Sequence, residues 1–139
     1  MKVVVLGAGI SGHTAAALLK KKLGSQHEVV VVSPSKWYQW IPSNIWVGVG
    51  RMTVDQVRFD LNKVYSKWGI DFKQAKAFAL HPEGNSEISS PFVEIEYTDS
   101  SNAGKIEKVT YDYLVNATGP KLNFEATPGL GPNKFTHSV

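Results

Sequence analysis

The stretch Val3-Val-Val-Leu-Gly-Ala-Gly-Ile-Ser-Gly-His13 contains the spacing Gly7-x-Gly9-x-x-Gly12. The residues before it are apolar and β-branched, which predicts a buried strand, and the run after it is rich in Ala, Leu and Lys, which predicts a helix. In such a strand-turn-helix unit the first glycine allows a tight turn, the second lets the backbone approach a pyrophosphate, and the third lets the helix pack closely on the strand. We therefore expect the phosphates of a dinucleotide at this turn.

The elements next to this turn complete a β-α-β unit. We expect a first strand over Lys2 to Leu6, a helix over Ile10 to Leu23 that ends at Gly24, and a second buried strand over Glu28 to Val32. A crossover of this kind is right-handed and joins parallel strands. The sequence thus predicts an α/β, Rossmann-like fold, in which Ser11 adds a hydroxyl donor to the phosphate site.

Ser33 follows the second strand, at the place where such units usually carry an Asp or Glu that holds a ribose 2′-hydroxyl. Two interpretations are open from the residues alone. Ser33 could hydrogen-bond the ribose itself, or Ser33 and Lys36 together could accept a 2′-phosphate, which would indicate NADP.

The segment 33–50 holds three of the four tryptophans, two prolines and two glycines, so we predict neither a helix nor a simple strand there. Its aromatic side chains, with Pro42, Ser43 and Asn44 after them, could form one wall of a pocket for a flat ring system. They could equally fill the core beneath a long connection, and composition does not separate these interpretations.

The later part of the chain predicts further elements of the sheet. Thr53-x-x-Gln56 has the pattern of a capping box and predicts an amphipathic helix that continues through Trp68 and ends at Gly69. A period of two predicts an antiparallel ribbon, inserted between parallel strands. The predicted strands after this helix are 70–73, 75–80, 92–98, 106–110 and 113–116.

Three of the predicted parallel strands run into Gly7, Ser33 and Gly119 respectively. Ligands of open α/β sheets bind at the carboxyl ends of the strands. We therefore expect one dinucleotide to contact all three positions.

Composition excludes several other classes of protein. The 139 residues suffice for one domain, and a net charge of +3 with one lysine cluster, Lys20 to Lys22, at a helix end indicates a solvated helix end and no nucleic-acid patch. The chain has no cysteine, and its four histidines lack ligand spacing, so we expect no disulfide and no metal site. We also expect a soluble chain without a signal peptide or a transmembrane segment.

The N-terminal glycine motif, the ribbon and the Ala117-Thr-Gly turn together resemble the FAD-binding half of flavoproteins that have two dinucleotide-binding domains. More narrowly, residues 37–50, with their Pro-Ser-Asn sequence, and the turn 117–122 (Ala-Thr-Gly-Pro-Lys-Leu) are similar to sulfide:quinone oxidoreductase. The resemblance covers essentially the whole chain.

This resemblance implies FAD rather than NADP as the cofactor, and direct contact of Ser33 with a ribose. It also implies a location for each part of the cofactor. The pyrophosphate would lie on Gly7, Gly9, Ser11 and Gly12, the adenosine near Ser33, Lys36 and the backbone of Ala77, the isoalloxazine towards Pro42, Ser43 and Asn44, and the middle of the cofactor beside Thr118, Gly119 and Pro120.

The resemblance further implies sulfide as the electron donor and quinone as the acceptor, in a peripheral membrane enzyme. The family oxidises sulfide through redox-active cysteines, and this chain has none. We therefore expect residues 1–139 to be the N-terminal part of an FAD/NAD(P)-binding domain that does not oxidise sulfide alone. Membrane association is expected only through C-terminal segments that the chain lacks. Residues 123–139 are expected to form a connection, and apolar surface left by absent parts could make the chain self-associate.

Two other functions compete with this interpretation. The first is a type II NADH:quinone oxidoreductase, a related flavoprotein that takes hydride from NADH and needs no cysteine pair. The second is a non-catalytic NADP-binding domain, which the combination of Ser33 and Lys36 favours.

Overall fold

The computed structural model describes residues 1–121 and 123–129. They form a six-stranded mixed sheet and a separate two-stranded sheet, with three helices. The strands are β1 (Lys2–Leu6), β2 (Glu28–Ser33), β3 (Trp37–Gln39), β4 (Arg58–Asp60), β5 (Asp71–His81), β6 (Phe92–Tyr97), β7 (Ile106–Thr110) and β8 (Tyr113–Asn116). The helices are α1 (Ile10–Leu23), α2 (Asn44–Gly48) and α3 (Leu61–Trp68).

The large sheet has the strand order β7-β6-β5-β2-β1-β8. β1 pairs in parallel with both β2 and β8, and β2 pairs in parallel with the first part of β5. The predicted β-α-β unit is confirmed with the predicted bounds for β1 and α1, and Gly24 ends α1. The fold class predicted from the sequence is therefore confirmed.

β1 and β2 are buried on both faces, as parallel strands between two covering layers are. Val5, Val29 and Val31 pack with residues of α1 and α3 on one face. On the other face, Val4 and Val30 pack with the ribbon, whose contributions are Val93, Ile95 and Val109. The continuous valine runs thus serve two separate cores.

β5 is one strand of eleven residues, and it belongs to both the parallel and the antiparallel part of the large sheet. Its beginning pairs in parallel with β2, and its later part pairs antiparallel with β6, with a register shift between Ala77 and Ala79. The two short strands predicted over 70–73 and 75–80 are therefore wrong as separate elements. The predicted ribbon of β6 and β7 is confirmed, and it extends the sheet beyond β5.

The helix predicted from Thr53 is wrong at its start. Gln56 and Thr53 do form a capping box, but it caps a single 3-10 turn, Val54–Gln56. The chain then pairs as β4 with β3, and α3 begins only at Leu61, where the Asp60 carboxylate accepts the N–H of Asn62 at 2.9 Å. The end predicted at Gly69 is confirmed.

The segment 33–50 is composite, which agrees with the prediction that it is neither a helix nor a simple strand. It contains β3, the 3-10 turn Ile41–Ser43 and α2. Of the predicted connection over 123–139, residues 130–139 lie outside the described residues. Its described part contains one 3-10 turn, Phe124–Ala126. Within the described part of the chain, no helix is both long and apolar enough to cross a membrane.

Candidate functional site

The glycine turn between β1 and α1 is held by contacts that only glycine permits at two positions. Gly7 has φ of +94°, and a Cβ there would lie 2.3 Å from the carbonyl oxygen of Ala117. A Cβ on Gly12 would lie 2.0 Å from the carbonyl oxygen of Gly7. The first glycine thus lets the turn pass the end of β8, and the last lets α1 pack directly on the turn. The close packing predicted for Gly12 is therefore made against the turn, where the sequence predicted the strand.

Gly9 differs from its two neighbours in the motif. It is the N-cap of α1 with φ of −69°, and a Cβ there would meet nothing within 4 Å. No side chain caps the helix, and the first turn carries no acidic residue. The first N–H groups of α1 therefore have no intrahelical acceptor, and the space beside Gly9 is open. A helix N-terminus of this kind is suited to bind an anion.

A cleft of about 250 Å³ opens at the carboxyl edge of the sheet beside this turn. It brings together three residues that the sequence predicted from distant parts of the chain, namely Gly7, Ala77 and Thr118. Sequence reasoning missed its other lining residues. These are Leu6, Val32, Pro34, Ala75 and Lys76, and their position at the ends of β1 and β2 or beside Ala77 was the available signal.

Ser33 and Lys36 occupy different surroundings. Ser33 is buried at the end of β2, between two residues that line the cleft. The Lys36 ammonium lies 5.2 Å from the centre of the Trp37 ring, and the Lys36 carbonyl accepts the N–H of Leu61. Neither Ser33 nor Lys36 is among the residues that line the cleft.

Pro42, Ser43 and Asn44 lie in the 3-10 turn and at the start of α2, apart from the residues that line the cleft. Asn44 is buried, and its Oδ1 accepts a hydrogen bond from Gln39 Nε2 at 2.6 Å. The bond ties the Pro-Ser-Asn sequence to β3. The large apolar side chains around it are exposed, and these are Trp37, Trp40, Ile41, Ile45, Trp46, Val49, Val54 and Phe59.

The turn after β8 is shaped by a local hydrogen-bond pair. Asn116 Oδ1 accepts the Thr118 hydroxyl at 2.9 Å and the Thr118 N–H at 3.3 Å. Gly119 follows with φ of +73°, and Pro120 is exposed. Asn116 thus fixes Thr118 at the cleft, while Leu122 of the same sequence motif lies outside the described residues.

An aromatic cluster surrounds His13, one residue after Gly12. The ring centres of Tyr38, Phe59, Tyr65 and Trp68 lie between 5.0 and 5.8 Å from that of His13. His13 Nδ1 is 3.0 Å from the Tyr65 hydroxyl. Burial lowers the pKa of His13, and burial together with the neighbouring Tyr38 raises the pKa of Tyr65 to about 12.

A larger groove of about 780 Å³ lies between the last turns of α1 and α3. It is lined by Lys20, Lys21, Lys67 and Trp68 among others, and it lies at the end of α1 opposite to the glycine turn. Because it lacks the free backbone N–H groups of a helix N-terminus, its larger volume does not make it the better nucleotide site.

A β-α-β unit with a glycine turn, an uncapped helix N-terminus and a cleft at the carboxyl edge of the strands defines a Rossmann-type dinucleotide-binding domain. The chain belongs to the pyridine nucleotide-disulphide oxidoreductase family, whose pattern matches residues 1–139. The family consists of FAD-dependent oxidoreductases, which confirms FAD as the predicted cofactor.

Individual relatives are of two kinds. The sulfide-quinone reductase of Aquifex aeolicus is 30% identical over 124 residues, which are 89% of this chain and 25% of that protein. The external alternative NAD(P)H-ubiquinone oxidoreductase B3 of Arabidopsis thaliana mitochondria is 31% identical over 134 residues, 95% of this chain and 22% of that protein. The chain thus spans about a quarter of the length of these relatives.

The crystal structure of the Aquifex aeolicus sulfide:quinone oxidoreductase superimposes with a TM-score of 0.69 at 27% identity, over 88% of this chain and 25% of that one. The resemblance to sulfide:quinone oxidoreductases stated from the sequence is therefore confirmed.

Proposed function

We propose that this chain forms the FAD-binding part of a quinone-reducing flavoenzyme, in which sulfide is the electron donor. FAD, when bound, supplies the two-electron chemistry of such an enzyme. The residues of this chain bind and orient it. The observation that carries the proposal is the uncapped first turn of α1, with open space at Gly9, directly beside a cleft that Ala77 and Thr118 also line.

The pyrophosphate would be held by the N–H groups of Gly9, Ser11 and Gly12. Gly7 would shape the turn beneath it, because its own N–H donates to the Val32 carbonyl at 2.8 Å. The adenosine would extend past the buried Ser33 towards Ala77, with Lys36 at its edge and the exposed Lys76 at the mouth of the cleft. The middle of the cofactor would lie along Thr118, Gly119 and Pro120, and Pro42, Ser43 and Asn44 would approach the isoalloxazine. Extended FAD spans more than the 250 Å³ cleft, so this cleft would hold only part of it.

The choice of sulfide rests on the Pro-Ser-Asn sequence and on relatives such as the Aquifex aeolicus enzyme. A type II NADH:quinone oxidoreductase is the second candidate, because relatives named as NAD(P)H-ubiquinone oxidoreductases match at the same level of identity. In either case quinone is the acceptor. Membrane association in the whole enzyme would be peripheral.

Retention of flavin by the purified 139-residue chain tests the proposal. The chain is incubated with FAD, desalted, and measured by visible absorption, with NADP titrated in parallel. We expect flavin absorbance to remain with the chain and NADP to bind weakly, because the Lys36 side chain lies against Trp37. Saturable NADP binding without retained flavin would instead support the non-catalytic NADP-binding domain.

The electron donor is tested anaerobically on the flavin that the chain retains and on any longer protein that contains it. Since residues 1–139 include no cysteine, we expect sulfide to leave the flavin of this chain oxidised. Reduction by sulfide, with turnover of quinone, in the longer protein supports the first candidate. Reduction by NADH and not by sulfide would replace it with the second.

A further inference from the structure

His13 lies where four elements meet, namely α1, α3, β3 and β4. It lies in α1, directly after the glycine turn, and its ring contacts Tyr65 and Trp68 of α3. It also contacts Tyr38 of β3 and Phe59 of β4. These two paired strands form the ends of the segment 37–60, which we call the Trp-rich segment. The rings of Tyr38 and Phe59 stack on each other, with their centres 4.8 Å apart.

A hydrogen bond in which Tyr65 donates its proton to His13 requires a neutral imidazole. Tyr65 is fully buried, and with a pKa of about 12 its hydroxyl keeps its proton throughout the physiological range. In the described part of the chain, the hydrogen bond made by this hydroxyl is the one to His13 Nδ1, at 3.0 Å. A buried hydroxyl without an acceptor is costly, so Nδ1 accepts and the ring proton is on Nε2.

We propose that His13 is a positioning residue for the cofactor site. Its neutral imidazole fixes the Trp-rich segment to the helix that binds the pyrophosphate, and protonation of the imidazole releases that segment. The link to the cofactor rests on the proposed function, because Pro42, Ser43 and Asn44 lie within this segment.

The groups around His13 favour the neutral form. The titratable side chains that face it are Tyr38 from β3 and Tyr65 from α3, while β4 contributes Phe59 and α3 contributes Trp68. The described contacts of His13 include no carboxylate, so an imidazolium gains no counter-ion there. It also cannot accept the Tyr65 proton, because both ring nitrogens then carry hydrogens.

The direction of the pH effect follows from the lowered pKa of His13 in the folded chain. The unfolded chain, with a histidine pKa near 6.5, binds this proton more readily. The stabilisation is therefore complete above pH 6.5 and is lost as the pH falls through the pKa of the folded state. Binding that depends on the fixed arrangement follows the same curve.

The first experiment needs no cofactor. Thermal unfolding and tryptophan fluorescence of the 139-residue chain are measured between pH 7.5 and 5.0 for the wild type, His13→Phe and Tyr65→Phe. Phe keeps a ring at position 13 but neither accepts nor titrates, and Tyr65→Phe removes only the hydroxyl. His81→Gln is the control, because His81 lies on β5 beside Glu94, away from the cluster.

We expect the wild type and His81→Gln to lose thermal stability and change fluorescence with a midpoint below pH 6.5. We expect both cluster variants to start from a lower stability at pH 7.5 and to change less with pH. A His13→Phe curve parallel to that of the wild type would overturn the proposal. So would a His13 imidazole that titrates at or above pH 6.5 by NMR.

The second experiment measures FAD affinity over the same range. For the wild type, affinity falls by up to about tenfold per pH unit below the folded-state pKa, the limit for one linked proton. His13→Phe removes this dependence, and an unchanged pH profile would overturn the link to the cofactor. If no variant binds FAD at pH 7.5, the proposed function fails, while the unfolding and fluorescence curves still decide the role of His13.

Discussion

Two alanine substitutions in the glycine turn, Gly9→Ala and Gly12→Ala, separate the fold from the cofactor site. Both add one methyl group to the same turn, three residues apart. The Cβ on Gly12 would lie 2.0 Å from the Gly7 carbonyl oxygen and 3.3 Å from Ala117 Cβ, whereas the Cβ on Gly9 meets nothing within 4 Å. The same methyl group therefore clashes with backbone at Gly12 and is accommodated without a clash at Gly9.

The magnitudes follow from these contacts. Overpacking costs about 1–3 kcal/mol, and we expect Gly12→Ala at or above the upper end, because the obstacle is backbone that cannot change rotamer. Gly9 has an ordinary φ of −69°, so alanine fits there without strain. The gain of about 0.4–1 kcal/mol from restricting the unfolded chain is offset by the poorer N-cap preference of alanine, so we expect stability close to that of the wild type. If the pyrophosphate occupies the open space at Gly9, the alanine methyl group introduced there weakens FAD binding by at least about tenfold, or about 1.4 kcal/mol.

Urea unfolding of the chain without cofactor and titration of FAD by flavin fluorescence measure the two effects separately. We expect Gly9→Ala to unfold close to the wild-type midpoint with weakened FAD binding, and Gly12→Ala to unfold at a clearly lower midpoint. Gly48→Ala, with nothing within 4 Å of its Cβ in α2, is the matched control and keeps wild-type FAD binding.

Two results would refute this reasoning. Wild-type affinity of Gly9→Ala for FAD would mean that the pyrophosphate does not lie on the turn. A Gly12→Ala variant as stable as the wild type would mean that α1 and the turn are not packed as the structure has them.

Two further predictions concern stability. Asp60→Ala removes the cap that accepts the Asn62 N–H, so we expect a loss of about 1 kcal/mol in urea unfolding, partly restored by Asp60→Ser. Burial disfavours the ionised Glu107, but hydrogen bonds from Tyr97 and Lys73 outweigh it and lower its pKa. This stabilisation is present above pH 4.5, the ordinary pKa of the carboxyl, and is lost as the pH falls through the folded-state pKa. We therefore expect Glu107→Gln to flatten the acid limb of a curve of Tm against pH. An unchanged acid limb would contradict this prediction.

The core of the fold could be predicted because its signals are local. The valine runs of β1 and β2 predict buried strands wherever they pair, and Gly24 and Gly69 end their helices as expected from position alone. The ribbon of β6 and β7 could also be predicted from the sequence, because apolar and polar residues alternate along these strands.

The segment 37–60 could not be predicted in this way. The capping box at Thr53 is real, yet the chain after it pairs with β3, so that Trp37 meets Asp60 across 23 positions. That pairing buries Tyr38 against the helices, and α3 therefore begins only at Leu61. A long-range contact thus overrode a local helix signal, and no short motif indicates it.

The candidate site was predictable in part for the same reason. Gly7, Ala77 and Thr118 meet because they follow or lie on strands whose order the fold class determines. The hydrogen bond of His13 was not predictable, because Tyr65 is 52 positions away and neither residue belongs to a recognised motif. The orientation of Lys36 towards Trp37 likewise depends on the folded segment.

The position of β1 between β2 and β8 has a consequence for synthesis of the chain. The N–H of Lys2 donates to the Asp112 carboxylate, a separation of 110 residues, and β1 pairs with β8 along the same edge. At about 5–20 residues per second, a ribosome needs about 6–22 s to make the residues between them. During that interval one edge of the nascent β1 stays unpaired, because β8, the strand that pairs with it, has not yet been made. We expect this to be when the chain is most exposed to aggregation and most dependent on chaperones.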